Sequence, residues 1–247
     1  MELLDRLRDF FVANVPPWRA VAIGAPLGLA WAASCLAFAG WLKRRGARTG
    51  DTRKLFHFLV FGTVALAHRM GGTPLVCLFG AMVSLVVFYA VWRGDGHPMY
   101  EALAREKDAP RRRHYILAPW FATFVGGVAS NLLFGSTALV GYLVAGLADA
   151  IAEPIGIRFG RHRYPVPSLA AVKATRSIEG SCAVLVASLA AISLAVALSP
   201  QFTFVARHAF AIPALALLAT LVEAVSPHGW DNATLQLVPT WAATLLL

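Results

Sequence analysis

The sequence predicts an all-α membrane protein: a polytopic helix bundle of about eight transmembrane helices, with N- and C-termini on the non-cytoplasmic side. Three observations carry that prediction. Of 247 residues, 58% are hydrophobic and 14% charged, and the mean hydropathy is +0.63. Soluble domains run near 45–50% apolar and about 25% charged. Apolar runs of roughly 20 residues, the length a bilayer requires, recur along the chain. Lys and Arg gather in three of the connections between them. The same figures exclude a disordered chain, which could not bury so little polarity. A disulfide scaffold is excluded too, because Cys35, Cys77 and Cys182 lie far apart in apolar stretches. The net charge of +9 is assigned to loops beside anionic lipid, and no nucleic-acid partner is expected.

Taken in order, residues 1–17 place Leu3, Leu4, Leu7, Phe10 and Phe11 at helical spacing with charges between, the pattern of an amphipathic helix lying in the interface. Residues 18–247 are expected to form a single transmembrane domain. Its spans are expected at Trp18–Leu42, Leu55–Ala67, Leu75–Trp92, Tyr115–Phe134, Thr137–Glu153, Cys182–Leu198, Ala209–Val225 and Ala233–Leu247. A Gly-Gly-Thr-Pro turn separates the second from the third, and Gly135-Ser136 the fourth from the fifth. Residues 43–54, 93–114 and 154–181 hold seventeen of the 22 Lys and Arg. Eight spans put all three on one side, which the positive-inside rule makes cytoplasmic. Arginine exceeds lysine by 18 to 4, a bias that suggests a GC-rich bacterium and its inner membrane.

Ionisable residues within spans are functional candidates. Asp149 and Glu153 stand four apart, on one face of the fifth span. Two carboxylates so placed fit Mg²⁺, which takes one or two acids and keeps waters or phosphates; the alternative is a solvated helix end. The run from Pro154 to Pro165 follows, with Gly156, Arg158, Gly160, Arg161, His162 and Arg163. Glycines let a backbone approach a phosphate and arginine forks bind its oxygens, although an ordinary basic loop has the same composition. Lys173, Thr175, Arg176, Ser177, Glu179 and Gly180 lead into the sixth span, where Ser177 or Thr175 can cap the helix and an anion can meet its N-terminus. Glu179 reads as a metal ligand, an arginine partner or a first-turn acid. Glu223, inside an apolar run, needs a cation or a metal. The turn Ser226-Pro227-His228-Gly229-Trp230-Asp231-Asn232 lies on the same side. Arg53 and Lys54 open the second span, and His57 is its residue best able to carry a proton.

These motifs together resemble the polyprenol/dolichol kinase and phytol kinase family of membrane lipid kinases, relatives of the CTP-using phosphatidate cytidylyltransferases. Arg-Lys-x-x-His falls on Arg53, Lys54 and His57. Asp-Ala-x-Ala-Glu-x-x-Gly-x-x-Phe-Gly falls on Asp149 and Glu153, with Gly156, Arg158 and Gly160. Ser-x-Glu-Gly falls on Ser177, Glu179 and Gly180 after Arg176, and the last element on Glu223, Asp231 and Asn232. The resemblance spans Arg53 to Asn232. The chain departs from it at Ala148, where many relatives carry glycine, and at Arg176, where many carry lysine; arginine keeps a phosphate contact but not an exchangeable proton.

The resemblance implies transfer of a phosphoryl group from CTP or another nucleoside triphosphate to the hydroxyl of an isoprenoid or diacylglycerol-like lipid. Asp149, Glu153, Glu223 and Asp231 would serve Mg²⁺. Arg53, Lys54, Gly156, Arg158, Gly160, Lys173, Arg176, Ser177, Gly180 and Asn232 would hold the nucleotide and its phosphates. Asp149, Glu179 or His57 would orient or deprotonate the alcohol. The competing expectations are CMP transfer to a lipid phosphate, for which His228-Gly229-Trp230-Asp231 is a loose match, and a non-enzymatic transporter or scaffold for an anionic lipid.

Overall fold

A computed structural model describes residues 2–168, 174–199 and 205–247, with only the backbone of Glu2. The regular elements among the described residues are helical apart from one short ribbon. In order they form α1 (Glu2–Ala13), α2 (Trp18–Arg44), α3 (Thr49–Arg93), α4 (Pro98–Glu101), α5 (His114–Phe134), α6 (Ala138–Phe159), β1 (Arg163–Val166), β2 (Ala174–Ser177), α7 (Ile178–Leu198), α8 (His208–Val225) and α9 (Asp231–Leu246). Five helical stretches are long and apolar enough to cross a membrane: Trp18–Arg44, Thr49–Arg93, His114–Phe159, Ile178–Leu198 and His208–Val225. Their outer faces expose Leu27, Leu85, Phe121, Leu194 and Leu217, an apolar surface suited to lipid rather than water.

Two of the five stretches contain the breaks that the glycines announce. Gly72 adopts φ 64°, ψ −159°, a left-handed conformation that glycine tolerates. It turns α3 back on itself, so that the second half runs beside α2, with Phe79 and Met82 against Gly28. Gly135, at φ 55°, likewise separates α5 from α6.

The structure corrects several expected boundaries. The second span does not start at Leu55: α3 begins at Thr49 and carries Arg53 and Lys54 inside the bundle. Both charges are tolerated there because they meet carboxylates from α6. The fifth span does not stop at Glu153 but continues past Pro154 to Phe159. The connection after it is not only irregular. β1 and β2 pair antiparallel, Arg163 opposite Ser177 and Val166 opposite Ala174, a two-stranded addition to a fold that is all-α as expected. Ser177 ends the ribbon and accepts a hydrogen bond from the Gly180 amide at 3.1 Å, so the predicted cap is made. The amphipathic helix forms as α1, and its Phe10 is buried against the bundle.

α6 is the central element. Almost every side chain from Ala138 to Ala150 is buried, as expected of a helix apolar all round. Small residues let its neighbours approach, the usual device where lipid offers no hydrophobic drive between helices. A Cβ on Gly141 would lie 2.3 Å from the Gln236 carbonyl oxygen and 2.4 Å from Thr240 Oγ1 on α9, and one on Gly146 would lie 2.6 Å from Phe61 on α3. Gly141→Ala must therefore separate α6 from α9. It is expected to lower stability by about 1–3 kcal/mol, measured by thermal unfolding in detergent. Gly62→Ala is the control, because a methyl there meets nothing within 4 Å.

Candidate functional site

Five elements bring their charged ends to one end of the bundle. Lys54, on the second turn of α3, donates to Asp149 Oδ2 of α6 at 2.6 Å, and both residues are about 95% buried (5% and 4% exposed). His57, one turn along, stands with Nε2 2.8 Å from the Ala145 carbonyl and 3.5 Å from the same Asp149 oxygen. A carbonyl only accepts, so Nε2 carries the proton and Nδ1 keeps a lone pair. Glu153, one turn beyond Asp149, faces Arg105 Nη1 at 2.9 Å, Arg53 Nη2 at 3.4 Å and Lys107 Nζ at 3.8 Å. Arg176, at the end of β2, sends Nε to Glu223 Oε1 at 2.8 Å and Nη2 to Asp231 Oδ2 at 3.2 Å. Its Nη1 donates to the carbonyls of Glu223 and Ser226. The buried Glu223 thus has the cation it required.

Apart from His57, these side chains line a cleft of about 130 Å³ with Arg163, Gly156, Ser177, Gly180 and His228 also in its wall. Six cations (Arg53, Lys54, Arg105, Lys107, Arg163 and Arg176) face four carboxylates (Asp149, Glu153, Glu223 and Asp231). The balance is positive, and the exposed Lys107 and Arg163 stand at the rim. Such a surface suits a multiply charged anion. Arg53, Lys54, Asp149 and Asp231 also line a second space of about 110 Å³, whose other walls include His57, Val60, Phe61, Val83, Trp120, Thr123 and Asn232. This neck is apolar on its far side. Val60, Phe61, Val83, Trp120 and Thr123 are in turn shared with an apolar cavity of about 580 Å³.

Some predicted residues stand elsewhere. Arg158 grips Asp51 with two hydrogen bonds of 2.8 and 2.9 Å and is not in the cleft wall. Glu179 meets His162 Nδ1 at 2.8 Å and is also outside the wall, acting as a first-turn acid of α7. Asn232 donates to Thr123 Oγ1 at 2.7 Å, tying α9 to α5 beside the neck rather than facing the cations. The glycines answer to packing: a Cβ on Gly160 would lie 2.2 Å from the Gly156 carbonyl oxygen and 2.7 Å from Ser177 Oγ, and one on Gly180 3.2 Å from the Ala152 carbonyl oxygen. They let α6 close against the ribbon and the start of α7. Lys173 lies outside the described residues.

Among the described residues, no three His, Cys, Asp or Glu side chains gather to hold a metal by themselves. Asp149 Oδ1, however, accepts no hydrogen bond among the described residues, since Lys54 and His57 both meet Oδ2. The donor set therefore fits a Mg²⁺ that takes one or two acids and completes its shell with phosphates and water.

Of the wall residues, Arg105 and Lys107 are those that sequence reasoning passes over as loop charge, while Arg163 reads as part of the basic run after Glu153 and His228 as part of the loose match to CMP transfer. Arg105 is fully engaged, with Asp108 Oδ2 at 2.8 Å, Glu153 and, at 2.8 Å, His228 Nε2. Burial acts against its charge, yet Glu153 and Asp108 outweigh burial and hold the guanidinium above its ordinary value. Since arginine only donates, His228 Nε2 accepts and the ring is neutral. Burial, and then Arg105, hold His228 at about 4.

The chain matches no family model, no curated protein and no solved structure.

Two predictions follow from the ion pairs. Lys54→Met leaves Asp149 buried without its partner and is expected to cost about 3–5 kcal/mol. Adding Asp149→Leu should recover most of that in a double-mutant cycle of thermal unfolding. The second concerns His228. Between its folded value of about 4 and the unfolded imidazole at 6.5, the unfolded chain binds a proton that the folded chain refuses. Stability should therefore fall as pH drops from 6.5 towards 4. His228→Gln should flatten that part of the stability–pH curve.

Proposed function

We propose that the protein is a lipid-alcohol kinase of the membrane, transferring the γ-phosphate of CTP or another nucleoside triphosphate to the hydroxyl of an isoprenoid or diacylglycerol-like lipid. The observation that supports this reading best is the set of walls that the three spaces share. A cleft with an excess of cations shares Arg53, Lys54, Asp149 and Asp231 with the neck, and the neck shares Val60, Phe61, Val83, Trp120 and Thr123 with the apolar cavity. A phosphate donor suits the first and a hydrocarbon chain the last, so their reacting groups would meet at the neck.

In the bilayer the chain would cross eight times, with each half of α3, then α5, α6 and α9 counted separately beside α2, α7 and α8. At 16 residues α9 is about 24 Å long, somewhat short of the hydrocarbon core. The cleft end carries the three basic connections and would face the cytoplasm, with both termini opposite. An inner bacterial membrane suits this orientation.

Phosphoryl transfer asks a protein mostly for positioning and neutralisation of charge. Arg53, Lys107, Arg163 and Arg176 would bind the phosphate oxygens. Lys54 would keep Asp149 ionised and in place, and Arg105 would do the same for Glu153. Asp149, through Oδ1, and Asp231 would hold Mg²⁺, which supplies neutralisation of the phosphate charge when bound. The lipid hydroxyl would lie in the neck with its proton directed to His57 Nδ1. Its oxygen forms the new bond to the γ-phosphorus as the bond from that phosphorus to the β,γ-bridging oxygen breaks. The nucleoside diphosphate leaves with the electron pair, and the proton passes to His57, whose imidazolium Asp149 stabilises. The resemblance to polyprenol and phytol kinases suggests the same chemistry.

The test uses purified protein, Mg²⁺ and a pool of lipid alcohols and lipid phosphates, with CTP labelled at the γ- or the α-phosphate. Label is expected in lipid from the γ position only, and His57→Gln should slow that transfer by about 10²–10⁴-fold. Asp149→Asn should abolish it. Label from the α position only would mean CMP transfer, a reading favoured by His228 and Asp231 in the cleft wall. No transfer from CTP or from labelled ATP would leave an anionic-lipid transporter or scaffold.

A further inference from the structure

The apolar cavity beyond the neck has a wall that packing alone does not explain. It lies between the second half of α3 and α5, and Phe10 and Phe11 of α1 close its side. Gly80 of α3 stands in that wall, and a Cβ built on it would meet nothing within 4 Å. A glycine inside a helix is destabilising relative to alanine. Such a residue is normally repaid by a close neighbour, as Gly141 is by α9 and Gly146 by Phe61. Gly80, like Gly62, has no such neighbour, but Gly80 and not Gly62 stands in the cavity wall. What its missing side chain provides is room in the cavity.

The size of that room is informative. The space measures about 580 Å³, which leaves room for a hydrocarbon chain. The cavity also shares Phe61, Val83, Trp120 and Thr123 with the neck, so a chain lying in it would carry its polar end towards Asp149 and the cations.

We propose that this cavity binds the hydrocarbon chain of the alcohol substrate, and that Gly80 sets how long a chain it takes. The proposal rests on the kinase reading for the identity of the polar end, but the chain site can be tested apart from it. The protein in lipid nanodiscs is titrated with farnesol and geranylgeraniol. Binding is read by native mass spectrometry without nucleotide, and phosphorylation separately with CTP and Mg²⁺.

Geranylgeraniol and farnesol are expected to bind. Gly80→Phe should weaken geranylgeraniol at least tenfold and spare farnesol, while Gly80→Ala changes neither by more than about twofold. Gly80→Leu gives the same test with a smaller side chain if Gly80→Phe does not fold. Equal binding of geranylgeraniol by wild type and folded Gly80→Phe or Gly80→Leu would overturn the proposal. So would a co-purifying phospholipid that no alcohol displaces. The expected binding pattern without phosphorylation from any nucleotide would uphold the chain site and overturn the kinase reading.

Discussion

The buried ion pair between Lys54 and Asp149 is the contact on which the rest of this structure depends. It is the most deeply buried of the ion pairs that join the first turns of α3 to α6, beside Arg53–Glu153 and Asp51–Arg158. Neither charge could stay where it is alone, because an isolated ion in so dry a place is costly. At 2.6 Å the pair fixes the rotation of both helices. That rotation aims His57 at the Ala145 carbonyl and leaves Asp149 Oδ1 towards the cleft and neck. Shifting either helix by one residue would turn these groups into the bundle or out to lipid, and the division between charged cleft and apolar cavity would be lost.

Around that pair the same logic repeats. Every carboxylate in the cleft wall meets a guanidinium or an ammonium, yet the cations outnumber the acids. The arginines that matter are held by several partners at once. Arg176 is tied to α8 and α9, and Arg105 to Asp108, Glu153 and a neutral His228. Cations held in this way need little reorganisation to receive an anion, which is the condition under which fixed charge serves a transition state. The ribbon β1–β2, short as it is, delivers Arg176 and the Ser177 cap from adjacent positions.

Much of this was legible in the chain. The apolar runs marked the helices, and Gly72 and Gly135 marked the reversals, because those features depend on local composition. Asp149, Glu153, Glu223, Arg53, Lys54 and Arg176 stood out as charges in or beside apolar runs, and they do converge. Arg105 did not stand out, and His228 stood out only as part of a loose match, because their importance comes from contacts across more than a hundred residues rather than from any local pattern. Gly156, Gly160 and Gly180 looked like a phosphate loop, and their observed reason is close packing of α6 on the ribbon and α7. Arg158 and Glu179 fitted the motif spacing but face Asp51 and His162, since helix continuation through Pro154 turns Arg158 off the cleft. Gly80 carried no signal at all, being one glycine in a long apolar helix. Only the empty space beside it makes it noticeable.

The most direct measurement is a cryo-electron microscopy structure of the protein in lipid nanodiscs with a non-hydrolysable CTP analogue, Mg²⁺ and geranylgeraniol. Phosphate density is expected among Arg53, Lys107, Arg163 and Arg176, with the alcohol oxygen within hydrogen-bond reach of His57 or Asp149 and its chain beside Gly80. Nucleotide bound away from the cleft, or a chain lying on the lipid-facing surface with the apolar cavity empty, would contradict a single site built across the Lys54–Asp149 pair.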